Sequence, residues 1–166
     1  LASQINYKAV SILAQISKKL DILLIHFSTD YVFDGTKKEP YLEDDVPCPI
    51  NIYGKTKLDG EKAIQESGCN YYIFRVSWLI GKYGNNFAKK IIYFAKNKEN
   101  LKVINDQKGV PTSPRLISEV IKHLIKSYET NLRWDFGIYN LNPRGEASWF
   151  IIAKFIINFI NEMDNK

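Results

Sequence analysis

Cysteine is scarce in this chain of 166 residues: Cys48 and Cys69 are the only two, with neither a Cys-x-x-Cys nor a metal-ligand spacing. Such usage argues against a disulfide framework and points to reduced thiols in a cytoplasmic protein. No apolar run approaches the roughly 18 to 20 residues that a membrane span requires, and no signal peptide opens the chain. Charge of one sign is never concentrated. The net charge is +5 and the pI near 9.1, but the excess is scattered lysine rather than a basic block. A nucleic-acid partner is therefore not expected, while attraction to anions such as nucleotides is. No internal repeat, low-complexity tract, clean linker or G-x-x-G-x-x-G phosphate loop is present. What remains is ordinary for a globular protein, with 45% hydrophobic and 25% charged residues, and enough chain for one sizeable core. Aromatics supply 13%, so packing leans on rings. The first residues, from Leu1 to Asn6, read as the inside of a helix and include no initiator Met, which suggests a piece of a longer chain.

Among ten tyrosines and many lysines, Tyr53 and Lys57 form the only Tyr-x-x-x-Lys in the sequence. On a helix the two side chains lie one turn apart on one face. A free phenol, with a pKa of about 10, is a poor proton donor or acceptor at neutral pH. A cationic amine beside it favours the phenolate and brings it toward the working range. The pair suits proton transfer to or from a carbonyl/alcohol couple, although the same spacing also occurs as a plain surface pair.

The flanking elements set that pair in a frame. Leu1 to Lys19 carries apolar residues at helical period, and Asp21 to Phe27 is a continuous apolar run, as for a parallel strand buried on both faces. His26 lies within the run and reads as a core histidine. The strand ends at Ser28-Thr29-Asp30, and ligands in open α/β sheets bind at such carboxyl ends. Residues 31–49 form a loop broken by Asp34-Gly35 and three prolines, in which Glu43-Asp44-Asp45 reads as solvated rather than metal-binding. A helix then bears Tyr53 and Lys57 as far as Ser67, with Gly68 as C-cap. Tyr71 to Val76 is a second strand, completing a βαβ unit in a parallel sheet. Beyond it the pattern predicts helices over Phe87–Lys98, Pro114–Tyr128 and Ala147–Ile160, and strands over Leu101–Ile104 and Phe136–Leu141.

Neighbouring strands would gather Thr29, Tyr53, Lys57 and Ser77-Trp78 at one sheet edge. A Thr29 hydroxyl could hold a substrate oxygen while Tyr53 moves the proton and Lys57 serves both the phenol and a cofactor ribose. Six stretches together resemble the extended short-chain dehydrogenase/reductases. They are Ser28-Thr29-Asp30-Tyr31-Val32-Phe33-Asp34-Gly35, Tyr53-Gly54-x-x-Lys57-x-x-Gly60-Glu61, Arg75-x-Ser77-Trp78, Asn86-Phe87, Asp106-Gln107-x-Gly109-x-Pro111-Thr112, and Gly137-x-Tyr139 through Gly145 to Ser148-Trp149. Each is weak alone; in combination they are specific and span most of the chain.

The resemblance implies a Rossmann-like doubly wound parallel α/β sheet, incomplete at the N-terminus, with a smaller C-terminal α/β substrate-binding part. Residues 1–80 would form the second half of the NAD(P)-binding domain, and residues 81–166 mostly the substrate-binding part, interleaved with the sheet. It implies Tyr53 as proton donor, Lys57 as its cationic and ribose-binding partner, and Thr29 as the hydroxyl that tunes them. Phe27, Tyr53 and Lys57 match cofactor-contacting positions for NADPH or NADH; Thr29, Asp30 and Trp78 match positions holding a sugar nucleotide. The activity implied is reduction of the C4 ketone of dTDP-4-dehydro-L-rhamnose, in a cytoplasmic homodimer with Mg²⁺ possible at its interface. Related 4,6-dehydratases carry Thr-Asp-Glu, whereas Tyr31 follows Thr29-Asp30 here, which favours reduction over elimination. The alternatives are an epimerase or dehydratase on another nucleotide sugar, and a non-catalytic regulatory subunit like that of methionine adenosyltransferase. The family's Gly-rich phosphate loop and its last portion lie outside this sequence, so the fragment alone is expected to be inactive.

Overall fold

A computed structural model describes residues 1–97, 100–130, 132 and 134–164. Two compact units divide the chain: Leu1–Val76 with Ser127–Leu141, and Ser77–Lys126 with Asn142–Lys166.

In the first unit, α1 (Val10–Leu20) is preceded by a π-helical stretch, Gln4–Ala9, where the sequence predicts continuous α-helix. Contact with α2 (Ile52–Ser67) accompanies the departure. A Cβ on Gly60 of α2 would lie 2.3 Å from the Asn6 carbonyl oxygen, and Asn6 Nδ2 donates to Thr56 Oγ1 at 3.1 Å. Glycine at 60 thus lets two helix backbones approach closely. Gly54 does the same on the other side of α2, where a Cβ would stand 2.0 Å from the Tyr31 carbonyl oxygen. Asn51 caps the helix by accepting from the Gly54 N–H, and Gly68 ends it at φ +66°, as the sequence predicts.

Strand β1 (Leu24–Thr29) pairs in parallel with β2 (Tyr71–Val76), and β2 in parallel with β4 (Gly137–Asn140). The sheet order is β1-β2-β4. Among the described residues β1 is less buried than its continuous apolar run predicts. Phe27 is 42% exposed and Leu24 to His26 are half-buried. Among the described residues β1 is an edge strand, and the doubly buried strand is the central β2. On one face Leu24, Tyr71, Ile73 and Ile138 meet Val10, Ala14, Ile64 and Cys69. The opposite face is a run of rings, Phe27 against Phe74, Phe74 against Tyr72 and Tyr139, and Tyr139 against Trp134.

The loop between β1 and α2 is more tightly held than its composition suggests. Phe33 stacks on Tyr41 at 4.2 Å, and the Arg75 guanidinium lies 5.0 Å over Phe33. Glu43 does not act as a solvated carboxylate. Its Oε1 accepts from the Asn140 N–H at 2.8 Å, and its carbonyl takes Arg75 Nη1 at 3.3 Å. Arg75 reaches across to α2, where Nε and Nη2 donate to the two Glu61 oxygens at 3.1 and 2.8 Å. Both partners are buried.

The second unit packs α3 (Phe87–Asn97) with α5 (Trp149–Asp164) beside an antiparallel pair, β3 (Lys108–Gly109) and β5 (Ala147–Ser148). Helix α4 (Pro114–Glu129) starts in this unit and its last residues belong to the first. Residues 101–104 form no strand: their link here is Ile104 accepting the Phe150 N–H, while the ladder partner of β5 sits four residues further on. Residues 147–148, expected to be helical, belong to β5. Lys98, the expected end of α3, lies outside the described residues. Ile151, Phe155, Phe159 and Met163 recur every fourth residue along α5 and are all exposed. Among the described residues no helix is long and apolar enough to cross a membrane.

Candidate active site

Thr29, the last residue of β1, is buried and N-caps a 3-10 turn over Asp30–Val32. Its Oγ1 accepts the Tyr31 N–H at 3.2 Å and donates to Asp30 Oδ1 at 3.1 Å. The hydroxyl is thus oriented locally, and its proton passes to a ligand only by leaving Asp30. Tyr53 stands in the first turn of α2, with 49% of its surface exposed, its ring edge-on to Tyr31 at 6.1 Å. Burial, then Asp30, then Tyr53 push the Tyr31 phenol above its usual range. It stays protonated at neutral pH and cannot replace a carboxylate at that position.

Lys57 follows one turn later and is only 8% exposed. Its Nζ donates to the Phe27 carbonyl at 2.6 Å and lies 3.2 Å from His26 Nε2. Burial lowers its pKa from the usual lysine value, and the Glu61 carboxylate works in the opposite direction. An ammonium can donate three hydrogen bonds, so one N–H remains beyond Phe27 and His26. The first unit therefore gathers Thr29, Asp30, Phe27, Tyr53 and Lys57 at the end of β1 and the start of α2. Phe27 enters through its carbonyl, which takes the Lys57 amine. The Ser28 hydroxyl, buried next to Thr29, has no hydrogen-bond partner among the described residues.

Trp78 belongs to the second unit. It adopts φ +30°, a rare conformation for a bulky residue, and stacks on Trp149 at 3.6 Å. Gly109 makes room, since a Cβ there would lie 2.5 Å from the Trp78 ring. The Thr112 N–H donates to the Trp78 carbonyl at 3.1 Å. Asn142 Oδ1 receives both the Ser77 N–H and the Thr112 hydroxyl, at 2.9 and 3.4 Å. Gly109 and Thr112 of the Asp106-to-Thr112 motif therefore shape the Trp78 backbone and ring environment.

Sequence reasoning passed over His26, reading it as a core residue. Burial, followed by repulsion from Lys57, brings its pKa down from 6.5 to about 4. Its neutral form is the folded one, so its contribution to stability has a definite sign. Above pH 6.5 the imidazole is neutral in both folded and unfolded chains, and nothing changes. Between pH 6.5 and 4 the unfolded chain binds a proton that the folded chain refuses, so stability falls with falling pH, by roughly 3 kcal/mol over that window. Urea unfolding of the full-length protein at a series of pH values should show this slope, and His26→Gln should remove its share. An identical slope in both proteins would show that His26 is not its source.

A family model described as the RmlD substrate binding domain matches residues 1–166. The chain is 39% identical to a dTDP-4-dehydrorhamnose reductase of Sinorhizobium fredii, over 99% of the chain and 56% of that relative. It is 41% identical to the dTDP-4-dehydrorhamnose reductase of Escherichia coli K12, over 93% of the chain and 52% of that relative. The crystal structure of dTDP-4-dehydrorhamnose reductase from Bacillus anthracis, in complex with NADP, superposes with a TM-score of 0.86 at 39% identity, covering 96% of the chain and 55% of that protein. The chain spans about half the length of the curated relatives it matches.

Proposed function

The chain belongs to the RmlD substrate binding domain family, and from that membership we propose that the full-length protein reduces the C4 ketone of dTDP-4-dehydro-L-rhamnose to dTDP-L-rhamnose with NADPH or NADH. The observation that carries this reading is the seating of Lys57. A buried amine, one turn from an exposed tyrosine, is drawn onto the carbonyl of the strand that ends in Thr29. The relatives' names and the NADP bound to the Bacillus anthracis protein support it.

The residues present fit a nicotinamide nucleotide: Lys57 keeps an N–H beyond its two protein partners, and Phe27, whose carbonyl is one of them, has a partly exposed ring. Lys57, Tyr53 and Phe27 would hold its nicotinamide ribose end. When bound, it supplies the hydride. Tyr53 donates its phenolic proton to the oxygen of the ketone being reduced, and the Lys57 ammonium stabilises the phenolate left behind. Thr29 and Asp30 orient the substrate's hydroxyl groups, the Thr29 proton turning from Asp30 to the ligand. In the second unit, Trp78 presents a ring for the sugar nucleotide.

In this reading residues 1–80 form the cofactor-side part and residues 81–166 mostly the substrate-binding part. The protein would work in the cytoplasm as a homodimer. No cluster of three or more His, Cys, Asp or Glu that could hold a metal occurs among the described residues. The test is the full-length protein with NADPH or NADH and dTDP-4-dehydro-L-rhamnose. Loss of reduced-cofactor absorbance with formation of dTDP-L-rhamnose is the expected result. Cofactor binding with no turnover would move the assignment to another nucleotide sugar or to the regulatory-subunit alternative.

A further inference from the structure

Two N–H groups of Lys57 are taken up by the protein, and only one of their acceptors belongs to the backbone. The other is His26 Nε2, at 3.2 Å. We propose that His26 is a positioning residue for Lys57: its Nε2 accepts one Nζ hydrogen bond and, with the Phe27 carbonyl, fixes the amine so that its third N–H is left for the reacting side. The inference rests on the reading of Lys57 as part of the reductase site.

Three observations support it. First, a strand interior here would pack an aliphatic residue at least as well. In register His26 lies opposite Ile73, and its neighbours in sequence are Ile25 and Phe27. A polar ring in that row carries a desolvation cost that packing alone does not repay. Second, the ring is neutral, for the reasons of burial and repulsion given above, so one nitrogen is an acceptor. With Nζ facing Nε2, the proton sits on Nδ1 and the Nε2 lone pair receives the amine. Third, the charged side chains that are buried on α2 and β2 are Lys57 and Glu61 of α2 and Arg75 of β2; Lys55, Asp59, Lys62 and Glu66 of α2 are not among the buried residues. Glu61 and Arg75 are bonded to each other, which leaves Lys57 as the charged partner of His26. A long lysine side chain with one acceptor can swing about that bond; with two it is held in one orientation.

The test compares His26→Leu with His26→Gln in the full-length protein. Leucine keeps the volume and removes the acceptor, whereas the glutamine amide oxygen can occupy the Nε2 position. Loss of a hydrogen bond to a charged group corresponds to about ten- to a hundredfold in rate. His26→Leu is expected to lower kcat by about tenfold or more and to raise KM for the reduced cofactor, while His26→Gln recovers most of the activity. Equal losses in both variants, or no loss in either, would overturn the proposal. A second readout does not depend on turnover. With carbon-13-labelled lysine, the Lys57 signal, identified by its disappearance in Lys57→Met, is titrated against pH. Removing the acceptor disfavours the ammonium, so its midpoint should fall in His26→Leu and return in His26→Gln. An unchanged midpoint refutes the contact even if the wild-type protein proves to have another substrate. Wild-type protein without turnover but with the shifted midpoint refutes the reductase reading alone.

Discussion

In the full-length protein, Tyr53→Phe should turn over dTDP-4-dehydro-L-rhamnose at least a hundredfold more slowly than wild type, with little change in fold. The exchange deletes one oxygen from a half-exposed ring whose surroundings are solvent and the edge of Tyr31. Among the described residues no hydrogen bond is lost with that oxygen, so the variant should melt within a degree or two of wild type. What disappears is the proton source. General acid catalysis by a positioned group contributes about 10²–10⁴-fold, and the loss should fall on kcat rather than on KM. Tyr31 is the phenol whose ring meets Tyr53, but its own burial and then Asp30 beside it hold its proton more tightly than usual. Following reduced-cofactor absorbance for both proteins is the measurement. A Tyr53→Phe enzyme of normal rate would remove Tyr53 from the mechanism.

The largest effect on stability is expected at Glu61. Arg75 is 2% exposed and Glu61 fully buried, joined by two parallel hydrogen bonds. Taking away one partner leaves the other as an uncompensated buried charge, at a cost of about 3–5 kcal/mol. Against a total stability of about 5–15 kcal/mol, that brings a domain to the margin of folding. Glu61→Ala should therefore lower the urea midpoint severely, and the double variant Glu61→Leu/Arg75→Met should recover much of the loss because no charge is left stranded. The contrast is Lys108–Glu146, equally short at 2.8 Å but 69% and 64% exposed. There Glu146→Ala should change stability by less than about 0.5 kcal/mol. Equal effects at the two sites would mean that burial is not what makes the Glu61 pair matter.

The parallel sheet, the helix carrying Tyr53 and Lys57, and its glycine C-cap were all legible, because each leaves a local mark: an apolar run, a period, a residue suited to positive φ. Partnerships across the fold leave no such mark. The motif around Tyr53 includes Gly54, Gly60 and Glu61, yet spacing could not say that two of these are points of backbone contact and the third half of a buried ion pair. Lys108–Gly109 is a strand only because Ala147–Ser148 lies beside it, whereas the more β-like Leu101–Ile104 has no ladder. Apolar composition does not say which strand is central either: β1 and β2 read alike, and among the described residues only β2 is paired on both sides. His26 looked like core for the same reason: the sequence shows its apolar neighbours in line, not the lysine that reaches it from thirty-one residues away.

The stacked indoles give each unit its own optical signature. Trp78 and Trp149 lie face to face at 3.6 Å and 14°, close enough for their transitions to couple. Trp134 lies in the other unit, its ring 5.8 Å from Tyr139. A coupled circular-dichroism band would then follow the unit that carries Trp78, while the emission of Trp134 follows the β1-β2-β4 sheet. With phenylalanine at either stacked position the band should vanish and the Trp134 emission persist. Unfolding watched at both signals would reveal whether the two parts of the chain melt together or in turn.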